Sequence, residues 1–293
     1  MITFWVRLSY PARFAIISNF FVDLIALRGG VTGVTIFFFL SAYGLTESQT
    51  KNQYNFIEYL KRRLLKVFIP LIITNILYYF PSLAWEEISF SIQTFSLYIL
   101  NIKILDGVTW FCNVILVFYI FFYLSFCFKK QVLKVSVLVL FTLGYSYFMV
   151  QYLPNAPYYI YSIVGFPLGM LFSLYKTHYT IRKVLILSCI IVLIFSIFSQ
   201  LISSYSNLWI GNIYSFLLII FTSIIITKIR IQNRILSFCG NYSFEIYLLH
   251  NKFMVLNGIL HLSLWYPITF FILVLPSSLL LKRINNKILD IIS

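Results

Sequence analysis

The 293-residue chain is too apolar for a soluble protein, since 61% of its residues are hydrophobic and only 10% are charged, against about a quarter charged in an average globular domain. Its formal net charge of +14 would suggest nucleic-acid binding in a soluble domain. Here, however, the basic residues stand in short clusters between apolar runs, which membrane topology explains. Composition therefore predicts an all-α, polytopic integral membrane protein embedded in the lipid bilayer, and we expect no nucleic-acid partner.

Nine apolar runs approach the length of about 20 residues that a helix needs to cross a bilayer. They cover residues 31–45, which is short, and then 67–84, 110–128, 135–153, 157–175, 184–202, 208–227, 236–260 and 265–281. No soluble stretch is long enough for a second domain. We therefore predict about nine transmembrane helices in one domain over residues 31–293, preceded by an external segment at residues 1–30.

Five basic clusters follow every second apolar run and hold most of the 22 Lys and Arg residues. They are Lys51 with Lys61, Arg62, Arg63 and Lys66; Lys129, Lys130 and Lys134; Lys176, Arg182 and Lys183; Lys228, Arg230 and Arg234; and Lys282, Arg283 and Lys287. Because basic loops remain in the cytoplasm, we predict a multi-pass protein of the cell membrane whose basic loops and C-terminus are cytoplasmic.

The same alternation places residues 1–30 outside the cell although they carry Arg7, Arg13 and Arg28. A further helix before Met1 would remove this conflict. We therefore expect the chain to be an N-terminally shortened version of a ten-span protein.

The four cysteines, Cys112, Cys127, Cys189 and Cys239, lie within or at the ends of apolar runs. None has the spacing of a metal site or a redox pair. We interpret them as small core residues and predict no metal site.

A polar stretch from Gly240 to His250 interrupts the apolar run at 236–260. One continuous helix from Leu236 would place Glu245 about 13 Å and His250 about 21 Å along it, and ionisable groups at such depths are functional-site hypotheses. The spacing of Ser243, Tyr247 and His250 puts their side chains on one helical face. Glu245 points elsewhere and is expected to pair with a basic residue of another helix.

Four motifs follow one another along the chain. They are Gly33-Val-Thr-Ile-Phe-Phe-Phe-Leu-Ser-Ala-Tyr-Gly-Leu45, then Tyr59 to Lys66 with Pro70, then Trp110-Phe111, and finally Ser243 to His250. Their order resembles that of the acyltransferase 3 family, and the resemblance covers residues 33–250. The resemblance implies ten membrane helices and a cytoplasmic acyl-CoA donor, commonly acetyl-CoA. It also implies O-acylation of a hydroxyl on a cell-envelope glycan or on a lipid-linked sugar precursor.

The resemblance also implies a catalytic histidine on a first helix, which we expect to be missing from this chain. Arg7 stands about where that histidine is expected, and arginine does not accept a proton at physiological pH. Either a helix precedes Met1 or the base has been lost, and both alternatives leave the activity of the chain as written open.

The resemblance makes Arg63 and Lys66 candidates for binding the donor's phosphates, although basic residues at span ends are also ordinary topology anchors. Trp110 is either a stacking wall for the sugar or donor or an aromatic of the interfacial belt. His250, with an ordinary pKa near 6.5, suits proton removal from a sugar hydroxyl, with Tyr247 and Ser243 beside it. Otherwise it fixes helix packing through a hydrogen bond.

The segment Ser91 to Leu105 is less apolar than a span and is predicted to form an interfacial or re-entrant helix that could roof an outward-opening cavity. Glu86, Glu87 and Asp106 could contact sugar hydroxyls, but we expect them to form a solvated outer loop.

The preferred interpretation is thus a membrane acyltransferase without a metal. One alternative is a transporter or flippase of lipid-linked sugars, and another is a non-catalytic, truncated remnant.

Overall fold

The computed structural model describes residues 29–85, 90–153, 159–160, 162–175, 181–202, 212–213, 216–217, 219–220, 234–259 and 270–292. Within these ranges all regular secondary structure is helical, which confirms the all-α prediction for this part of the chain. The predicted external segment falls almost wholly on residues 1–28, which include Arg7 and lie outside the described part. Glu86 and Glu87 also lie outside it.

The described helices are α1 (Gly29–Asn52), α2 (Phe56–Trp85), α3 (Ile92–Ile99), α4 (Trp110–Phe126), α5 (Gln131–Tyr152), α6 (Gly165–Tyr175), α7 (Ile181–Ile202), α8 (Arg234–Asn241), α9 (Ser243–Ile259) and α10 (Leu275–Ile292). A π-helical turn at Phe270–Val274 leads directly into α10.

Three helices in the described part are long and apolar enough to cross a membrane, at Phe56–Leu83, Gln131–Tyr152 and Lys183–Ile202. Two shorter helices, α4 and α6, are also apolar. The predicted span at 157–175 is helical only from Gly165 within its described residues, and most of the predicted span at 208–227 lies outside them. These apolar helices indicate a membrane protein, and the total of nine spans stays a prediction.

The predicted interfacial segment contains the short helix α3. Ser91 caps it, since its hydroxyl accepts a hydrogen bond from the Thr94 amide while the Thr94 hydroxyl accepts one from the Ser91 amide. This reciprocal arrangement satisfies two amides that the first helical turn leaves unpaired. The helix ends at Ile99, so the prediction to Leu105 was too long.

The expected continuous helix over 236–260 is wrong, because α8 ends at Asn241 and α9 begins at Ser243. Gly240 and Asn241 are poor helix formers, which favours the interruption. Glu245 therefore lies in the first turn of α9, where the positive end of the helix dipole favours a carboxylate. Lys282 of α10 is a charged neighbour of Glu245, and the pairing of Glu245 with a basic residue stays a prediction.

The chain divides into two compact units, of which the first comprises residues 1–43 and 146–221. In this unit α6 packs closely against α1. The rings of Phe38 and Phe166 meet edge to face, as do those of Phe39 and Phe172. A Cβ atom on Gly165 would lie 2.6 Å from the Thr35 carbonyl oxygen, so the two backbones approach too closely for a larger residue.

The second unit comprises residues 44–145 and 222–293, with α2 packed against α3, α4, α9 and α10. The start of α2 meets the end of α4, where Tyr59 stacks on Phe122 with ring centroids 6.0 Å apart. The end of α10 lies beside the same part of α2, and Lys282 donates a hydrogen bond to the Asn241 carbonyl before α9. Arg62, Arg63, Lys66 and Lys282 thus lie near one another at this end of α2.

The cysteines behave differently from one another. Cys112 is buried in α4, whereas Cys127, Cys189 and Cys239 are exposed. The expectation of core cysteines was therefore right for Cys112 and wrong for the other three, because their apolar helices present part of each surface outward.

Candidate functional site

A basic cleft of about 1230 Å³ opens where the start of α2 faces the end of α10. We call it the basic cleft; its described lining residues are Tyr54, Asn55, Phe56, Ile57, Glu58, Lys61, Arg62, Arg63, Leu65, Lys66, Asn286, Leu289 and Asp290. The predicted pair Arg63 and Lys66 thus contributes to one concave surface.

The charges in the basic cleft are not equivalent. Arg62 pairs with Glu58 at 3.1 Å, so its charge is largely offset. Arg63 instead donates a hydrogen bond from Nη2 to the Ser48 hydroxyl of α1 at 2.7 Å, which fixes the guanidinium without neutralising it. Lys66 has Arg63, Arg62 and Lys282 as like-charged neighbours. Neighbouring cations of this kind suit a phosphorylated ligand, although Glu58 and Asp290 also line the cleft.

A second group of polar residues lies where α9 meets the turn between α3 and α4. We call Asn101, Asp106, Thr109, Asn113, Tyr247, His250, Asn251 and Lys252 the polar cluster. Asp106 is 2% exposed. Its carboxylate accepts hydrogen bonds from Lys252 Nζ at 2.7 Å, Asn251 Nδ2 at 2.6 Å and the Val108 amide at 3.2 Å. The expectation of a solvated loop was therefore wrong for Asp106.

Asn101 fixes the rest of this turn. Its Nδ2 donates to the Thr109 carbonyl at 3.1 Å and to Asn113 Oδ1 at 2.9 Å, and its Oδ1 accepts from the Thr109 hydroxyl at 2.8 Å. Asn113 Nδ2 donates in return to the Asn101 carbonyl at 2.9 Å. The backbone of Asn101 has a φ of 58°, a left-handed conformation that asparagine tolerates better than most residues. Hydrogen bonds among Asn101, Thr109 and Asn113 consequently join the beginning of the turn to the start of α4.

The structure brings Tyr247 and His250 together. The Tyr247 hydroxyl donates to the Val108 carbonyl at 2.6 Å, and its ring meets the edge of Phe111 at 5.4 Å. His250 Nδ1 lies 2.6 Å from the Tyr247 carbonyl oxygen. Since a carbonyl only accepts, this contact is a hydrogen bond when Nδ1 carries the proton, which leaves Nε2 of the neutral ring as a proton acceptor.

Two other predicted residues take different positions. The Ser243 hydroxyl donates to the Gly240 carbonyl at 2.9 Å and so serves the junction between α8 and α9. Trp110 begins α4 and stands perpendicular to Phe111 with ring centroids 6.4 Å apart, which places it next to the polar cluster. None of Trp110, Ser243, Tyr247 and His250 is among the described residues that line the basic cleft.

The two regions lie at different levels along α2. Lys66 lines the basic cleft, and the ring of Tyr78, twelve positions later, faces the Lys252 ammonium at 5.5 Å. At 1.5 Å per residue this interval is roughly 18 Å. The second unit therefore has a cationic recess at one level and a buried polar cluster at another.

Sequence reasoning missed Asn251 and Lys252, although both directly follow His250 in an otherwise apolar run. That continuation of the polar stretch was the available signal. It also missed Ser48, whose hydroxyl holds Arg63 and which carries no sequence signal because serine is common at helix ends. Among the described residues, no group of three or more His, Cys, Asp and Glu could hold a metal ion.

In the comparison with protein families, the model of the acyltransferase 3 family, described as an acyltransferase domain, matches residues 5–282. The chain belongs to the acyltransferase 3 family. No curated protein and no solved structure matches it. The family match covers both units, and it agrees with the resemblance found from the motifs at residues 33–250.

An acyltransferase in general needs a recess for its acyl donor and a group that takes the proton of the attacking acceptor. The basic cleft has the charge for the first role. In the polar cluster, His250 Nε2 has the chemistry for the second. Asp106 and Lys252 form a buried ion pair with one another. We therefore assign neither of them the role of proton acceptor.

Proposed function

We propose that this protein is a membrane acyltransferase that transfers an acyl group, in the simplest case acetyl, from acyl-CoA to a hydroxyl of a cell-envelope glycan or its lipid-linked precursor. The observation that carries the proposal is the basic cleft together with the family match. We further propose that this cleft faces the cytoplasm, because Arg63, Lys66 and Lys282, which belong to two of the basic clusters, are neighbours there and basic loops remain inside.

The basic cleft supports an acyl-CoA donor through its charge. The phosphate groups of a coenzyme A thioester would meet Arg63 and Lys66, while Ser48 keeps the Arg63 guanidinium in place. Arginine binds phosphate through two parallel N–H groups and lysine through a point charge. Arg62 is a weaker candidate than Arg63 and Lys66, because its guanidinium already pairs with the Glu58 carboxylate.

The chemistry is an acyl exchange between sulfur and oxygen. The acceptor oxygen forms a bond to the thioester carbonyl carbon, the carbon–sulfur bond breaks, and the hydroxyl proton is taken by a base and passed to the departing thiolate. We assign the base role to His250 Nε2 among the described residues, since Nδ1 donates to the Tyr247 carbonyl. General base catalysis contributes roughly 10²–10⁴-fold.

The test is transfer of radiolabel from acetyl-CoA to envelope glycan in membranes that contain the protein. The expected result is glycan-bound label that alkali releases, as an ester requires. Membranes with Arg63→Ala and Lys66→Ala combined serve as the matched control, because they lack the two proposed donor contacts at the same protein level.

Two results would favour the alternatives. Altered movement of lipid-linked sugar across the membrane with no label transfer would replace the enzyme by a transporter or flippase. Absence of both activities, with a stable folded protein, would favour a non-catalytic remnant. A version extended by a first helix that carries a histidine gives a further test. If that version is active and this chain is inert, this chain is a non-catalytic remnant.

A further inference from the structure

We propose that Asp106 is a positioning residue of the polar cluster: its carboxylate oxygens hold the turn at residues 106–108 against α9, and thereby keep Tyr247 and His250 in place. The assignment rests on the proposed acyl transfer for its catalytic consequence. Its structural part, the attachment of the turn, stands on the contacts alone.

The peptide group of Val108 shows how the attachment works. Its amide donates to Asp106 Oδ1 at 3.2 Å, and its carbonyl accepts from the Tyr247 hydroxyl at 2.6 Å. Both the amide and the carbonyl of Val108 are thus hydrogen-bonded to side chains. The first contact depends on Asp106, and the second joins the same residue directly to α9.

The second step leads from Asp106 to α9. Asn251 Nδ2 donates to Oδ1 at 2.6 Å and Lys252 Nζ donates to Oδ2 at 2.7 Å, so one carboxylate binds two consecutive residues of the helix. Lys252 Nζ also donates to the Leu248 carbonyl at 2.9 Å. The carboxylate therefore fixes the rotation of α9 at the turn of helix that carries His250.

The third step concerns His250 itself. Its Nδ1 contact with the Tyr247 carbonyl and the 5.5 Å separation of the two rings make its orientation depend on Tyr247. Tyr247 in turn depends on Val108 for its hydroxyl partner. If the turn is released, Tyr247 loses that partner and the direction of Nε2 is no longer fixed.

A simpler role for the ion pair would be mutual neutralisation of two buried charges. The two roles differ in what they require at position 106. Neutralisation requires opposite charges in either order, whereas positioning requires oxygen acceptors for the Asn251 amide and the Val108 amide. Lysine has three donors and no acceptor, so exchanging the two residues would retain the charges and remove the acceptors.

The experiment therefore compares two double variants of the full chain. Asp106→Asn with Lys252→Met removes both charges and retains an acceptor oxygen at position 106. Asp106→Lys with Lys252→Asp retains both charges and removes the acceptors. Lys103→Met, which removes an exposed charge from the same loop, is the matched control.

Hydrogen exchange of the peptide covering residues 101–110, measured in detergent, gives a result independent of catalysis. We expect slow exchange in the wild type, the control and the neutral variant, and fast exchange in the exchanged variant. The proposal is overturned if the exchanged variant is as protected as the wild type, or if the neutral variant, while folded, is not.

Label transfer from acetyl-CoA supplies the catalytic result. The exchanged variant should lose about 10- to 100-fold in kcat, the range for one or more charge-assisted hydrogen bonds, with an unchanged KM for acetyl-CoA because the basic cleft is untouched. A change confined to KM would contradict positioning. If the wild type transfers no label, the proposed function fails while the hydrogen-exchange result still decides the attachment of the turn.

Should both double variants fail to fold, Asn251→Leu provides the decisive measurement because it leaves the ion pair intact. It removes one of the three contacts to Asp106. We expect faster exchange at residues 101–110 and a loss of about tenfold in kcat. Wild-type values in both measurements would overturn the proposal.

Discussion

The ammonium of Lys252 lies 2.7 Å from the carboxylate of Asp106, and the two side chains retain only 8% and 0% of their accessible surface. They are 146 positions apart in the chain. Such a pair is not stabilising merely because it is buried, since both charges lose their hydration. It does, however, make each residue dependent on the other, because either charge alone in this environment would be costly.

Removal of the positive partner alone should therefore destabilise the protein strongly. We expect Lys252→Met to lower the free energy of unfolding by about 3–5 kcal/mol, because Asp106 would remain buried without its counter-ion. Thermal unfolding in detergent, followed by tryptophan fluorescence, measures the effect as a lower Tm. Lys103→Met should leave Tm unchanged, and an unchanged Tm in both variants would show that the Asp106 charge does not depend on Lys252.

Arg63 should determine donor affinity. We expect Arg63→Ala to raise the KM for acetyl-CoA about 10- to 100-fold with a smaller effect on kcat, since a hydrogen bond to a charged group is worth about 1.5–3 kcal/mol. Arg63→Lys should recover only part of the affinity because the two-pronged geometry of the guanidinium is lost. Initial rates over a range of acetyl-CoA concentrations give both parameters.

Arg62 offers a matched control one residue away. Its guanidinium pairs with Glu58 and its side chain is 56% exposed, so Arg62→Ala should change the KM for acetyl-CoA less than threefold, a small effect typical of exposed pairs. Equal effects of the Arg62 and Arg63 substitutions would mean that the cleft acts through its total charge. The assignment of Arg63 as an individual phosphate contact would then be wrong.

Much of the fold could be predicted because apolar runs long enough for membrane helices are a property of composition. The start of α4 at Trp110 and the end of α7 at Ile202 match the predicted runs. The interruption at Tyr242 was not predicted. Hydropathy is averaged over many residues, so the two poor helix formers Gly240 and Asn241 change it little. Helix α6 is shorter than the apolar run that contains it, because hydropathy alone does not determine where a helix begins.

The candidate site was less predictable than the fold. Position within one helix made the proximity of Tyr247 and His250 predictable, since residues three apart share a face. The burial of Asp106 was not, because it depends on Asn251 and Lys252 of a distant helix. Ser243 has the correct spacing for the face of Tyr247, but its hydroxyl bonds to the preceding turn instead, a local alternative that serine often takes.

These different surroundings of His250 and Ser243 lead to a paired prediction on catalysis. His250→Gln should reduce label transfer roughly 10²–10⁴-fold if Nε2 accepts the hydroxyl proton, with the protein level and Tm near those of the wild type. Ser243→Ala should leave transfer within about threefold, because its hydroxyl serves only a local carbonyl, a contact worth about 1 kcal/mol. Full activity of the histidine variant would leave His250 with a packing role alone.

The close approach of α6 to α1 gives a prediction on the first unit. A Cβ atom on Gly169 would overlap the Phe39 carbonyl oxygen, a backbone atom that cannot move without shifting α1. We expect Gly169→Ala to destabilise the protein by about 1–3 kcal/mol, the usual cost of overpacking, and to lower the yield of folded protein in membranes.

Gly144 of α5 has no atom within 4 Å of the corresponding position, so Gly144→Ala should be neutral or stabilise by about 0.5–1 kcal/mol through helix propensity. Size-exclusion profiles and Tm values of the two variants, purified side by side, measure this difference, and equal behaviour would show that α6 and α1 can separate without loss of stability.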